Sequence, residues 1–175
     1  MKFNDIAMLG LASVLALTGT AALAQEKYLL DTPEWVEAET PAPPPFSADS
    51  VLPLDMPPYV TVKVGVDPQS IAVGQDGVVR YVVVMRNASG STSAAYEGLR
   101  CASDEVKTYA RFSASGQWTL LAHPEWKAVS DNMPSHHAQV FERQAACVNH
   151  ATTSEKEIIA ALKVRQITPP SARGY

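Results

Sequence analysis

Residues 75–86 read QDGVVRYVVVMR, and this stretch decides the fold. The pair Asp76-Gly77 supplies the positive backbone φ that a tight hairpin turn requires. The run from Val78 to Met85 is apolar on both faces, which is typical of a strand at the centre of a sheet. The stretch therefore predicts a hairpin whose second strand lies inside a sheet.

The segments on either side predict further strands. Valine alternates with other residues over 59–66, which is the period of a strand with one buried face. A loop over 87–92 leads to a strand over 96–102, and strands over 108–113 and 117–122 form a second hairpin. These segments add up to an antiparallel sheet of about five strands.

The C-terminal part predicts two helices. Apolar residues between His137 and Val148 recur at helical spacing, which places Cys147 on the first helix. The second opens at Ser154, where Glu157 completes a capping box. Strands first and helices last indicate a single α+β domain, with both helices packed on the sheet.

The N-terminus predicts a cleaved Sec-type signal peptide over residues 1–24. Lys2 precedes an apolar run from Ile6 to Leu17, and Ala22-Leu23-Ala24 forms the cleavage site. The run is short for a membrane span, although a retained N-terminal anchor is the alternative. We expect a periplasmic or envelope-associated mature chain without a transmembrane helix.

The mature chain divides into three parts by composition. Residues 25–58 form a proline-rich arm, which favours extended backbone but also holds Trp35 and Phe46. We expect this arm to pack partly on an α+β domain over 59–168. A short C-terminal tail covers 169–175.

Charge limits the class of partner. The chain has a formal net charge of −4, and its Lys and Arg residues are scattered along the sequence. Nucleic acids and anionic lipids bind to clusters of basic residues. Because no such cluster is seen in the sequence, neither is favoured as a partner. An envelope protein or a cell-wall component is the expected partner.

Two cysteines in an exported chain predict a disulfide between Cys101 and Cys147. The alternative is a redox-active pair, but the short Cys-x-x-Cys spacing of such pairs is missing. The four histidines do not follow metal-ligand spacings, and no serine lies in a Gly-x-Ser-x-Gly motif. We therefore predict no catalytic residue, metal or cofactor.

Six residues in the strands are candidates for an interaction surface. The arginines offer anion contacts and the aromatic rings offer stacking, while salt bridges and core packing are the alternative interpretation. Glu97 and Arg100 would face opposite sides of a strand unless Gly98 forms a bulge. Arg80, Arg100 and Arg111 could line one face of the sheet and hold an anion or a carboxylate ligand. The six are Arg80, Tyr81, Tyr96, Glu97, Arg100 and Trp118.

Several short motifs together resemble a known family. DGVVRY over 76–81, YEGLRC over 96–101 and GQW over 116–118 are followed by Trp126 and Cys147. In this combination the chain resembles the CNP1-like family of exported bacterial proteins of unknown function. The resemblance implies that the two cysteines are a matched pair and brings no catalytic residues.

Two functional hypotheses follow. The first is a non-catalytic envelope protein that binds a partner through its proline-rich arm or an aromatic sheet face. The second is an envelope hydrolase that uses Glu97 and a histidine such as His123 as acid and base. A pocket that gathers Glu97, Arg100 and a histidine would favour the hydrolase. Purely structural assembly is a third interpretation that the sequence does not separate from the first.

Overall fold

The computed structural model of the protein describes residues 34–113, 115–131 and 136–167. The predicted signal peptide and C-terminal tail lie outside these residues, as does the start of the arm. Contacts divide the chain after Trp35, and the described strands and helices all belong to the unit beginning at Val36. Among the described helices, none is both long and apolar enough to cross a membrane.

Ten strands and two α-helices make up the described fold. The strands are β1 (Leu52–Pro53), β2 (Lys63–Val66), β3 (Ala72–Val73), β4 (Val78–Arg86), β5 (Thr92–Arg100), β6 (Glu105–Phe112), β7 (Trp118–Leu120), β8 (Lys127–Ala128), β9 (Cys147–Val148) and β10 (Ala151–Thr152). The helices are α1 (His137–Phe141) and α2 (Glu155–Ile167). Short 3-10 turns cover Pro68–Ser70 and Val129–Asp131.

The main sheet is antiparallel and has eight strands. Its order is β1-β2-β4-β5-β6-β7, with β3 paired to β4 and β8 paired to β6. The prediction of about five strands was therefore too low. The additional three, β1, β3 and β8, are two residues long each, which is too short for an alternating pattern to show in the sequence.

The central position of β4 is confirmed. It pairs with β2 on one side and β5 on the other, and the hairpin before it turns at Gly77 with φ +77°. Residues 78–84 are all buried. Val79 and Val83 belong to one core, while Val82 and Val84 belong to another, so the strand is apolar on both faces because both faces are covered.

Different parts of the chain cover the two faces of the sheet. Phe141, Ile158 and Leu162 from the helical segment pack with Tyr81 and Leu99 in the larger core. On the opposite face Phe46 and Val51 of the arm pack against a smaller core that contains Tyr96 and Tyr109. The sheet thus lies between the helices on one face and the part of the arm around Phe46 and Val51 on the other.

The first C-terminal helix is shorter than its apolar pattern predicts. It ends at Phe141 and continues as one π-helical turn over Glu142–Ala146. Cys147 has extended backbone and begins β9, so its predicted placement on the helix was wrong. Pairing with Thr152 and the bond to Cys101 both hold Cys147 outside the helix.

Two local predictions are confirmed. Cys101 and Cys147 form a disulfide with a Cα–Cα distance of 5.6 Å. It joins the end of β5 to the start of β9. At the start of α2, Glu157 accepts a hydrogen bond from the Ser154 backbone N–H at 2.9 Å, as the capping box requires.

Candidate functional site

Glu37 fixes the start of the arm on the sheet. Its Oε1 accepts a hydrogen bond from the Tyr109 hydroxyl at 2.7 Å. Its Oε2 accepts one from Lys107 Nζ at 2.8 Å and one from Trp126 Nε1 at 3.1 Å. Burial alone would raise the pKa of Glu37, but these three donors outweigh it and lower the pKa. The arm is therefore held by an ionised, fully engaged carboxylate.

A second contact follows at the next residue. The Ala38 N–H donates to Asp76 Oδ2 at 2.9 Å, and Arg80 Nη2 donates to the same oxygen at 2.8 Å. Arg80 is only 4% exposed and also reaches the Ala38 carbonyl at 3.3 Å. Burial opposes ionisation of Asp76, but the hydrogen bonds from Arg80 and the backbone lower its pKa to about 2. The hairpin turn that decides the fold thus also binds the arm.

The Tyr109 hydroxyl reaches Glu37 because Gly98 leaves room for it. A Cβ on Gly98 would overlap the Tyr109 hydroxyl and come within 2.9 Å of its ring. The register of β5 against β6 also shifts between Tyr96 and Glu97, next to this glycine. Gly98 therefore has a packing role beneath the arm.

Removing the Tyr109 hydroxyl is expected to loosen the arm. Tyr109→Phe keeps the ring but removes one donor to Glu37, and hydrogen bonds to charged groups contribute about 1.5–3 kcal/mol. A glutamate-specific protease should then cut near Glu37 and Glu39 roughly tenfold faster or more. Tyr59→Phe, at an exposed tyrosine, is the matched control and should leave the cleavage rate unchanged. Equal rates in the two variants would contradict the anchoring role.

A groove runs between the arm and the β6–β7 edge of the sheet. It has a volume of about 420 Å³ and is lined mainly by apolar and aromatic side chains. Leu120 of the edge strand β7 stands at this groove and is 68% exposed. The apolar and aromatic lining residues include Pro41, Pro43, Tyr96, Tyr109, Leu120 and Leu121.

A separate polar cluster lies on the helix side of the sheet. Glu97 Oε2 accepts from the Tyr81 hydroxyl and pairs with His137 Nε2, both at 2.9 Å, while Oε1 accepts from Thr108 at 3.2 Å. Glu97 is 2% exposed and His137 is 6% exposed. Burial disfavours both charges, but the pairing outweighs it, lowering the pKa of Glu97 and raising that of His137. The cluster is a buried ion pair.

A family model described as the CNP1-like family matches residues 30–163. The chain belongs to the CNP1-like family. The match begins before Glu37 and ends within α2, so it takes in the arm as well as the sheet. Searches of curated proteins and of solved structures found no match to the chain. The residues that the structure describes contain no group of three or more His, Cys, Asp or Glu placed to hold a metal ion.

The six predicted interaction residues fall into different places in this CNP1-like domain. Arg80 and Tyr96 lie on the arm side, and Trp118 packs there against Phe46 with ring centroids 5.6 Å apart. Tyr81 and Glu97 lie on the helix side. The structure therefore brings together two subsets of the six, on opposite faces of the sheet.

Arg100 forms its ion pair with an acidic residue other than Glu97. It forms an ion pair with Glu105 at 3.6 Å across the β5–β6 turn. Arg111 pairs with Ala95 of the larger core and borders a separate small pocket with His123. The three arginines Arg80, Arg100 and Arg111 therefore do not share one anion site, and the histidine that meets Glu97 is His137 rather than His123.

Sequence reasoning missed the residues that hold the arm. Glu37 lies 70 and 89 positions before its partners Lys107 and Trp126. No motif or periodicity relates residues at such separations. The one available signal was the presence of charged and aromatic residues in a proline-rich segment that a solvated tether would not need.

Proposed function

We propose that this CNP1-like protein is an exported, non-catalytic binding domain that holds an extended segment of an envelope partner along the groove between its arm and β7. Family membership and the disulfide support export, because disulfides form and persist in oxidising compartments such as the periplasm. The observation that carries the binding role is the apolar groove beside an exposed edge strand.

The edge strand β7 offers a partner backbone groups for strand pairing, and the groove beside it offers pockets for the partner's side chains. On either side of β7 the Ser113 N–H donates to the Gln117 carbonyl, and the Leu121 N–H donates to the Tyr109 carbonyl of β6. In an antiparallel ladder the N–H and C=O groups of Trp118 and Leu120 then point away from β6. Such an edge accepts an added strand from a partner, whose alternate side chains would enter the apolar groove.

The arm packs on its own domain, so we do not assign it the role of docking into a groove of a partner protein. Glu37 binds the sheet, Phe46 and Val51 pack on it, and Leu52 and Leu54 are buried in the core. Deleting residues 25–58 would remove β1 and the buried Leu52 and Leu54 together with the rest of the arm, so point variants at the groove give a cleaner test than deletion. The arm forms one wall of the proposed site.

The hydrolase hypothesis has less support. Glu97 does meet a histidine at hydrogen-bond distance, but both side chains are buried and Glu97 is engaged by three donors. An acid–base pair must reach the proton that it transfers to or from a substrate. The buried pair fits a structural role.

A charge at the groove is expected to weaken partner binding. Leu120→Asp places a carboxylate where an apolar contact would be buried, which costs about 1–3 kcal/mol or more. The tagged protein should then be retained with the envelope fraction roughly tenfold less than the unaltered protein. Val164→Asp is the matched control, since Val164 of α2 is 60% exposed and lies outside the groove. Equal retention of all three proteins would contradict the proposed groove.

A further inference from the structure

A second pocket lies at the other end of β7, on the same face of the sheet as the groove. It has a volume of about 480 Å³ and is lined by the rings of Phe46, Phe112 and Trp118. Each of these rings is half-buried, and their centroids lie 4.9–5.6 Å apart in edge-to-face arrangements. We call this site the aromatic pocket.

The arm forms one wall of both pockets. Residues 41–43 line the groove together with Leu120, and residues 45–46 line the aromatic pocket together with Trp118. The groove and the aromatic pocket have no lining residue in common. Because Trp118 and Leu120 are two positions apart on one strand, their side chains point to the same face of the sheet. The edge strand therefore has one pocket at each end.

The backbone of β7 fixes how a partner strand would lie beside it. The N–H and C=O groups of Trp118 and Leu120 all point to the open edge. An antiparallel partner pairs with all of these groups through three consecutive residues, of which the first lies opposite Leu120 and the third opposite Trp118. A parallel partner spreads the same hydrogen bonds over five residues. The antiparallel arrangement thus directs the first side chain to the groove and the third to the aromatic pocket.

The middle residue of such a partner would lie on the opposite face, next to Thr119. Thr119 is paired with Arg111 of β6, and both residues are exposed. Arg111 and the middle residue would be about 10 Å apart, two strand spacings, with only the short Thr119 side chain between them. Glu125 and Asp131 border the same small pocket as Arg111, but no described carboxylate forms an ion pair with it. A glutamate at the middle position is long enough to supply that pair.

The two pockets and Arg111 together define the segment that fits this edge. We propose that the partner segment carries an aliphatic residue, a glutamate and an aromatic residue in succession and binds antiparallel to β7. The aliphatic side chain enters the groove between the prolines of the arm and Leu121, and the glutamate pairs with Arg111. The aromatic ring enters the aromatic pocket, where it extends the edge-to-face packing. This inference rests on the proposed binding function and specifies the sequence that the site selects.

Fluorescence anisotropy of the mature protein with labelled peptides tests the order of the three residues. The peptide holds Leu-Glu-Phe between serines, is blocked at both ends and should bind. A peptide with Leu-Phe-Glu has the same composition but turns the phenylalanine to the wrong face, so it should bind roughly tenfold more weakly or less. Equal binding of these two peptides would overturn the proposed sequence.

A charge reversal tests the role of Arg111. A Leu-Lys-Phe peptide should bind several-fold more weakly than the Leu-Glu-Phe peptide, because lysine repels the guanidinium. Arg111→Gln should remove the difference between the two peptides. Arg143→Gln is the matched control, since Arg143 is an exposed arginine that lines neither pocket, and it should keep the difference. The same difference in both variants would contradict the pairing with Arg111.

Backbone methylation tests the strand pairing. Methylation of the leucine or the phenylalanine amide nitrogen removes an N–H that pairs with β7 and should weaken binding roughly tenfold. The glutamate N–H points away from β7, so its methylation is the matched control and should leave the affinity unchanged. Equal effects at all three amides would overturn the antiparallel pairing.

The outcomes separate this sequence from the groove itself. Absence of binding by the Leu-Glu-Phe peptide at millimolar concentration would overturn the proposed sequence. Retention of the Leu120→Asp variant in the envelope fraction tests the groove and does not depend on these peptides. Failure of the peptide experiments therefore leaves the result for the groove standing.

Discussion

Replacing Cys101 and Cys147 by alanine is expected to lower the free energy of unfolding by about 4 kcal/mol. The disulfide closes a loop with a sequence separation of 46, and in the chain-entropy model a loop of that length restricts the unfolded chain by this amount. For a domain of this size the melting temperature should fall by about 10 °C. Urea denaturation of both proteins, followed by fluorescence of the three tryptophans, measures the difference.

Reduction of the unaltered protein provides the control for that experiment. It breaks the same bond without changing a side chain in the core, so its urea midpoint should move close to that of the double variant. A loss below about 1 kcal/mol in both cases would show that the disulfide does not stabilise the domain.

His137→Ala is expected to destabilise the domain by about 3–5 kcal/mol. It leaves the Glu97 carboxylate buried without its charged partner, and breaking one side of a buried ion pair has costs of this size. His123→Ala, at an exposed histidine, is the matched control and should change the free energy of unfolding by less than about 0.5 kcal/mol. Urea denaturation near pH 6 compares the two variants.

The pH dependence distinguishes the ion pair from simple loss of packing. The pKa of Glu97 is lowered in the folded state, so its contribution is lost as pH falls through that pKa. The pKa of His137 is raised, so its contribution is complete below about pH 6.5 and is lost as pH rises through the folded pKa. The stability difference between the unaltered protein and His137→Ala should therefore be largest between about pH 4.5 and pH 6.5. A difference independent of pH would contradict a charged pair.

Much of the sheet could be predicted from the sequence because its signals are local. The buried run of β4 follows a turn with Asp-Gly, and the capping box at Ser154 spans three residues. In each case the residues that determine the structure lie next to one another. The hairpin of β6 and β7 was found for the same reason.

The remaining features depend on contacts between distant segments. The two-residue strands β1, β3 and β8 form only because a longer strand lies beside each of them. The meeting of Glu97 with His137 and of Glu37 with Lys107 likewise requires the folded sheet. Cys147 lies outside α1, where it bonds to Cys101 and pairs with β10. Periodicity and spacing carry no information about such contacts.

Photo-crosslinking in intact cells tests the binding role most directly. A photoreactive amino acid at position 120 places the probe in the proposed groove, and one at position 164 places it on the exposed side of α2. We expect a discrete adduct of higher mass from position 120, absent when Lys107→Ala and Tyr109→Phe are combined to release the arm, and no adduct from position 164. No adduct from position 120, or the same adducts from both positions, would contradict the assignment of this groove as the binding site.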